Sequence, residues 1–155
     1  MTITYSSDGN LHLKTKNELV VLGSSVKIGS HTITGPGEYD VASIQCEGQA
    51  LPTGVVYFIR SEDLLITFLP NCDEAVNTVD DASDTDILVF DVRSSSEADK
   101  AKAIIKALEP SYVFLLGSSS QEVSATLGLS TGEESSLKIT QAGLPLEGTT
   151  LITNR

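Results

Sequence analysis

Residues 86–116 read DILVFDVRSSSEADKAKAIIKALEPSYVFLL, and this stretch decides the fold class. Ile87–Val92 is an almost unbroken apolar run, the signature of a strand covered on both faces. Ser94 stands three residues before Glu97 in the spacing of a capping box. Ala98, Ala101, Ile104, Ile105 and Leu108 then recur at helical spacing and define one apolar stripe. Pro110 lacks an amide hydrogen and stops that helix, and Tyr112–Leu116 is the next buried strand.

Downstream of this unit, Gln121–Leu127 reads as a short helix ending at Gly128, and Leu137–Thr140 and Thr149–Thr153 read as closing strands. Upstream, Asn71 at an N-cap with Glu74 three residues on predicts a short helix through Val79. The first half is strand-rich. Thr2–Tyr5, Leu11–Thr15 and Leu19–Leu22 form a meander broken at Asp8-Gly9-Asn10 and Lys16-Asn17. Val26–Ile28 and Thr32–Ile33 follow as a hairpin, then Gly35–Asp40 as a rigid stretch between strands. Val41–Cys46, Val55–Arg60 and Leu64–Phe68 complete this half. Strands first, then alternating strand and helix, indicate a layered α/β domain over residues 1–155.

Composition excludes some functions. Of 155 residues 40% are apolar, enough for a core, while 21 acidic against 10 basic residues leave a net charge of −11. With a pI near 4.4 and no basic cluster, the chain repels phosphate backbones, so a nucleic-acid partner is not expected. Met1–Ser7 carries neither a basic nor an apolar signal-peptide region, and the apolar runs fall well short of the ~20 residues of a membrane span. Cys46 and Cys72 lack metal or redox spacing and read as buried free thiols, which suits a cytoplasmic protein.

Little in the residues points to catalysis. His12 alternates with Leu11 and Leu13 on a strand, and His31 sits at a turn; neither has a second His or Cys at ligand spacing. No Gly-x-Ser-x-Gly elbow, phosphate loop or dinucleotide fingerprint is present. Gly117–Ser120, between a strand and a short helix, is the nearest thing to an anion-holding turn, although its serines also suit plain helix capping. Asp80, Asp81, Asp84 and Asp86 lack the Gly and closing Glu of a calcium loop and read as a solvated acidic surface.

Taken together, the segments resemble a known family. Thr32-Ile33-Thr34-Gly35-Pro36-Gly37-Glu38-Tyr39-Asp40-Val41 resembles the GPGEYE/D strand-turn of small metallo-β-lactamase-fold hydrolases, the UlaG-like or Zn-dependent hydrolases of the β-lactamase superfamily. Val55–Ile59 with Leu64–Thr67 is similar to the strand pair that follows, Asp86–Phe90 to its DILLIP strand, and Glu109–Val113 to its EPKIVIP strand. Met1–Leu22 and Leu144-Pro145 match its opening and closing segments, so the likeness spans nearly the whole chain.

The departures from the pattern fall on the metal site. The family's HxHxDH motif and its flanking helices belong where this chain has only Gly23-Ser24-Ser25. The family's bridging aspartate falls on Asn71, and its last histidine on Gly117. A neutral amide cannot bridge two metal ions as a carboxylate does. The resemblance therefore implies a reduced metallo-β-lactamase-like fold of αββα type, cut down, with no metal and no cofactor. Two functions remain open. One is a non-catalytic binding or scaffold protein, a homo-oligomer or the partner of another protein, with an apolar patch exposed where the segment is deleted. The other is a hydrolase with a repurposed site on an unknown small molecule, built from Asn71, Asp73, Asp91, Arg93, Gly117 and Ser118 at the C-terminal ends of strands.

Overall fold

The structure, a computed structural model, describes residues 1–153. Its first sheet is a meander. Strands β1 (Thr2–Tyr5), β2 (Leu11–Lys14), β3 (Leu19–Leu22), β4 (Val26–Ile28) and β5 (His31–Ile33) pair antiparallel in sequence order. The late strand β13 (Ser136–Lys138) joins β1 at the free edge. Alternation separates the faces. Ile3, Leu13, Val20 and Ile28 stand opposite one another across the ladder and are fully buried. The opposite face runs Thr4, His12, Val21, Lys27, Thr32 and needs no cover.

The chain then crosses to a second sheet at Thr34-Gly35-Pro36. This sheet has eight strands in the order β12-β14-β11-β10-β9-β8-β7-β6. They are β6 (Gly37–Val41), β7 (Ile44–Leu51), β8 (Gly54–Ser61), β9 (Leu64–Leu69), β10 (Ile87–Asp91), β11 (Tyr112–Leu116), β12 (Ser130–Glu133) and β14 (Thr150–Thr153). β6 to β9 pair antiparallel, whereas β9, β10, β11, β14 and β12 pair parallel. The crossing is fixed by two tyrosines. The Gly35 amide donates to the Tyr57 hydroxyl at 3.2 Å, and the Tyr39 hydroxyl donates to the Thr34 carbonyl at 2.8 Å. Gly48 lies directly beneath, where an added Cβ would sit 2.5 Å from the Gly35 carbonyl oxygen. Only glycine lets the two sheet edges meet this closely.

Two cores result. One fills the space between the sheets around Leu13, Ile59, Phe68 and Phe114. The other lies on the far face of the large sheet, where Phe58, Phe90 and Leu151 pack against α1 (Ala98–Leu108) and α2 (Ser120–Leu127). Among the described residues the layers are thus sheet, sheet, helix. The outer helical layer of an αββα sandwich has no counterpart among the described residues over the polar face of the small sheet, and Gly23-Ser24-Ser25 is a plain hairpin turn from β3 to β4.

The structure corrects several local readings. Gly37–Asp40 is part of strand β6, and Val41–Cys46 is no single strand: the chain reverses at Ala42-Ser43, both at positive φ (51° and 62°). Paired left-handed residues are the geometry of a tight two-residue hairpin, here made without glycine. Strand β12 has no apolar signal and was not expected. The helix expected from Asn71 is a 3-10 turn over Glu74–Thr78, and its cap is Asp73. Ser94 does cap the turn into α1, through the Ser96 amide, but Glu97 reaches the Arg93 amide at 3.0 Å rather than closing a box on Ser94. Ser119 precedes α2 without a side-chain cap bond. Asp86 is no solvated surface charge, since its carboxylate accepts from the Leu65 amide at 2.8 Å.

Candidate functional site

The parallel strands β9, β10, β11 and β14 end along one edge of the large sheet. Ligands of open α/β sheets bind at such an edge. The chain leaves it at Leu69–Asp73, Asp91–Arg93 and Gly117–Ser118, so all six residues singled out from the sequence lie there. The structure gathers them into two groups.

The first group is built on Thr53, in the turn between β7 and β8. Asn71 donates from Nδ2 to the Thr53 carbonyl at 3.0 Å. Asp73 accepts from the Thr53 amide at 3.1 Å and hydroxyl at 2.8 Å through Oδ2, and from the Ala75 amide at 2.9 Å through Oδ1. Burial pushes the Asp73 carboxyl up, but these bonds together outweigh it and hold the group below the usual carboxylate range. Both side chains thus tie the β7–β8 turn to the loop after β9.

The second group centres on Asp91. Its carboxylate lies 3.6 Å from the Arg93 guanidinium, which is itself 67% exposed. Burial raises the Asp91 carboxyl, with Arg93 opposing and Glu97 adding to the rise. Gly117, at φ +96°, approaches so closely that a Cβ there would overlap Asp91 Oδ1 and the Val92 carbonyl oxygen. Ser118 stands exposed beside it. Cys72 is buried nearby, its thiol pushed up to about 12 by burial, with Glu97 and Asp91 adding and Lys100 opposing.

Zinc sites need at least three converging protein donors. Among the described residues no three His, Cys, Asp or Glu side chains converge in this way. His12 is on the outer face of the small sheet, and His31, expected at a turn, is instead the exposed first residue of strand β5, paired with Ile28; both lie away from this edge. The described residues therefore do not fit the zinc centre that the family resemblance implies.

A cleft of about 830 Å³ exists at the opposite end of the parallel strands, lined among others by Arg60, Glu62, Asp63, Asp86 and Glu109. Sequence reasoning missed Thr53, whose Leu51-Pro52-Thr53-Gly54 turn shows no pattern beyond its Pro and Gly. It also missed Tyr5, whose hydroxyl reaches β11 and β14 at this edge from the small sheet.

No protein-family model matches the sequence, and no curated protein matches it. Among solved structures, one from Thermotoga maritima, described as a "putative zn-dependent hydrolase of the metallo-beta-lactamase superfamily", superposes with a TM-score of 0.69. The match covers 100% of both chains at 14% identity, a likeness of fold. The chain has a metallo-β-lactamase-like α/β fold, as its GPGEYD, DIL and EP segments imply.

Proposed function

We propose that this chain is a non-catalytic binding or scaffold protein built on a metallo-β-lactamase fold. The observation that carries the reading is the use made of the strand-end residues. Asn71 and Asp73 are consumed in bonds to Thr53, and Gly117 stands where Asp91 and Val92 leave no room for a side chain. A hydrolase of this fold needs a metal to bring the pKa of bound water to about 7, and nothing else among the described residues at this edge supplies a strong nucleophile. The partners are then a second copy or another protein, not nucleic acid, in view of the net charge of −11. Two buried free thiols suit a reducing, cytoplasmic setting.

The alternative, a hydrolase with a repurposed site, is favoured by one observation: Asp91, with its raised carboxyl, beside Arg93 at the ligand-binding edge. Elemental analysis of untagged protein purified without chelator, followed by ester, phosphodiester and lactam hydrolysis assays, separates the two. Substoichiometric zinc, manganese and iron with no turnover is the expected result. Stoichiometric metal, or turnover abolished in Asp91→Asn, overturns the binding-protein reading.

A further inference from the structure

Leu146 is the most exposed large apolar side chain of the described residues, at 102% of its reference area, and it is not where the sequence analysis expected an apolar patch. It crowns a loop whose two ends are tied down. Before it, Leu144 packs on the core between the sheets and the Gly143 amide donates to Thr140 Oγ1 at 3.1 Å. After it, Thr149 Oγ1 donates to the Pro110 carbonyl at 2.6 Å and the Thr150 amide to the Ser111 carbonyl at 3.0 Å. Pro145 restricts the intervening backbone further. Such a loop holds its leucine out in water at little cost in ordering when something binds it.

Beside the loop runs an apolar groove of about 340 Å³ between α1 and the end of α2. Ile105, Leu127 and Leu129 form its floor, and two exposed cations, Lys102 and Lys106, stand on its rim against one exposed carboxylate, Glu109. Lys102 stands three residues before Ile105 and four before Lys106, so it neighbours both along the helix surface. The ion pairs among the described residues all lie elsewhere, so neither ammonium group has an ion-pair partner among them. In a chain of net charge −11 this is an uncommon local site for a carboxylate beside an apolar group. Leu146-Glu147 has that chemistry.

We infer that the groove receives Leu146 of a second copy of this chain, with that copy's Glu147 meeting Lys102 and Lys106. Groove and loop share Glu109 and Thr149 at their common border, so both halves of the contact lie on one face. A two-fold axis through that border exchanges the two loops and closes the assembly as a dimer. The inference rests on the binding-protein reading and gives it a partner.

Sedimentation equilibrium at about 0.15 M salt, where the net charge is screened over about 8 Å, tests it. Wild type is compared with Leu146→Asp, Lys106→Glu and the double charge swap Lys106→Glu with Glu147→Lys. The expected result is a concentration-dependent dimer, lost in both single variants and regained in the swap. Leu146 is fully exposed, so its substitution leaves the fold intact, as circular dichroism will show. A monomer at every concentration, or a dimer indifferent to Leu146→Asp, overturns the interface. Either outcome leaves the metal and hydrolysis results standing, so failure here is distinguishable from failure of the binding-protein reading.

Discussion

The hydroxyl of Tyr5 is wedged into the ladder of the other sheet: it accepts from the Leu115 amide at 3.2 Å and donates to the Ile152 carbonyl at 2.9 Å. It thereby satisfies two backbone groups where β11 and β14 part company, and it sews the small sheet to the candidate edge of the large one. Burial raises the phenol well above its ordinary range, so it remains a neutral donor. Tyr5→Phe keeps the ring beside Phe114, 5.9 Å between centroids, and leaves both backbone groups unpartnered. The expected loss is about 1–3 kcal/mol in urea unfolding. A loss below about 0.5 kcal/mol would mean that water replaces the hydroxyl.

Gly117 offers a sharper test of the candidate edge. Its φ of +96° strains any other residue, and a Cβ there would overlap Asp91 and Val92. Gly117→His puts a metal-ligand side chain back at the position the family resemblance marks. The expected outcome is a destabilised protein, by at least about 1–3 kcal/mol in thermal or urea melts, that gains no zinc by isothermal titration. A variant as stable as wild type that binds zinc would show that the edge opens readily.

The two halves of the fold were legible to different degrees. Residues 86–116 announced themselves because a two-sided strand and a helix stripe each leave a period in the sequence. The hairpin at Ala42-Ser43 and the strand Ser130–Glu133 left none. The first reverses on non-glycine residues at positive φ, and the second is a polar edge strand that buries little. At the candidate edge, counting along strands placed Asn71, Asp91 and Gly117 at one end of the sheet. What each side chain touches depends on Thr53 and Tyr5, which are distant in sequence and carry no local signal. Tertiary partners of this kind decide whether a polar residue is available for chemistry.

Asp73 and Asp91 should respond to pH with opposite signs. Asp73 has a lowered carboxyl, so its stabilisation is present above the unfolded value of 3.8 and is lost as pH falls through the lower folded value. Asp91 has a raised carboxyl, so its contribution is full below 3.8 and is lost as pH rises through the higher folded value. At pH 7, Asp73→Ala is therefore expected to cost about 1–2 kcal/mol, chiefly as a lost cap, while Asp91→Asn costs less or is stabilising. Urea titrations of both variants from pH 3 to 7 check this. Parallel pH profiles for the two would refute the assignment.

The buried thiols report on the same loop. Cys46 lies within β7 in the core between the sheets, and Cys72 lies between Asn71 and Asp73 in the core beneath α1. Burial pushes both up to about 12 from 9.0, which lowers the thiolate fraction at pH 8 by roughly a thousandfold. Alkylation by iodoacetamide must then wait for the protein to open. Cys46 sits in the middle of a paired strand, so it is exposed only by global unfolding, whereas Cys72 is held by one short loop that Asp73 pins to Thr53. Asp73→Ala is expected to speed labelling of Cys72 several-fold beyond any change at Cys46, as read by mass spectrometry of the digested protein. Equal acceleration at both cysteines would mean that the loop does not open on its own, and that the Thr53 bonds stabilise the whole fold instead of one end of the sheet.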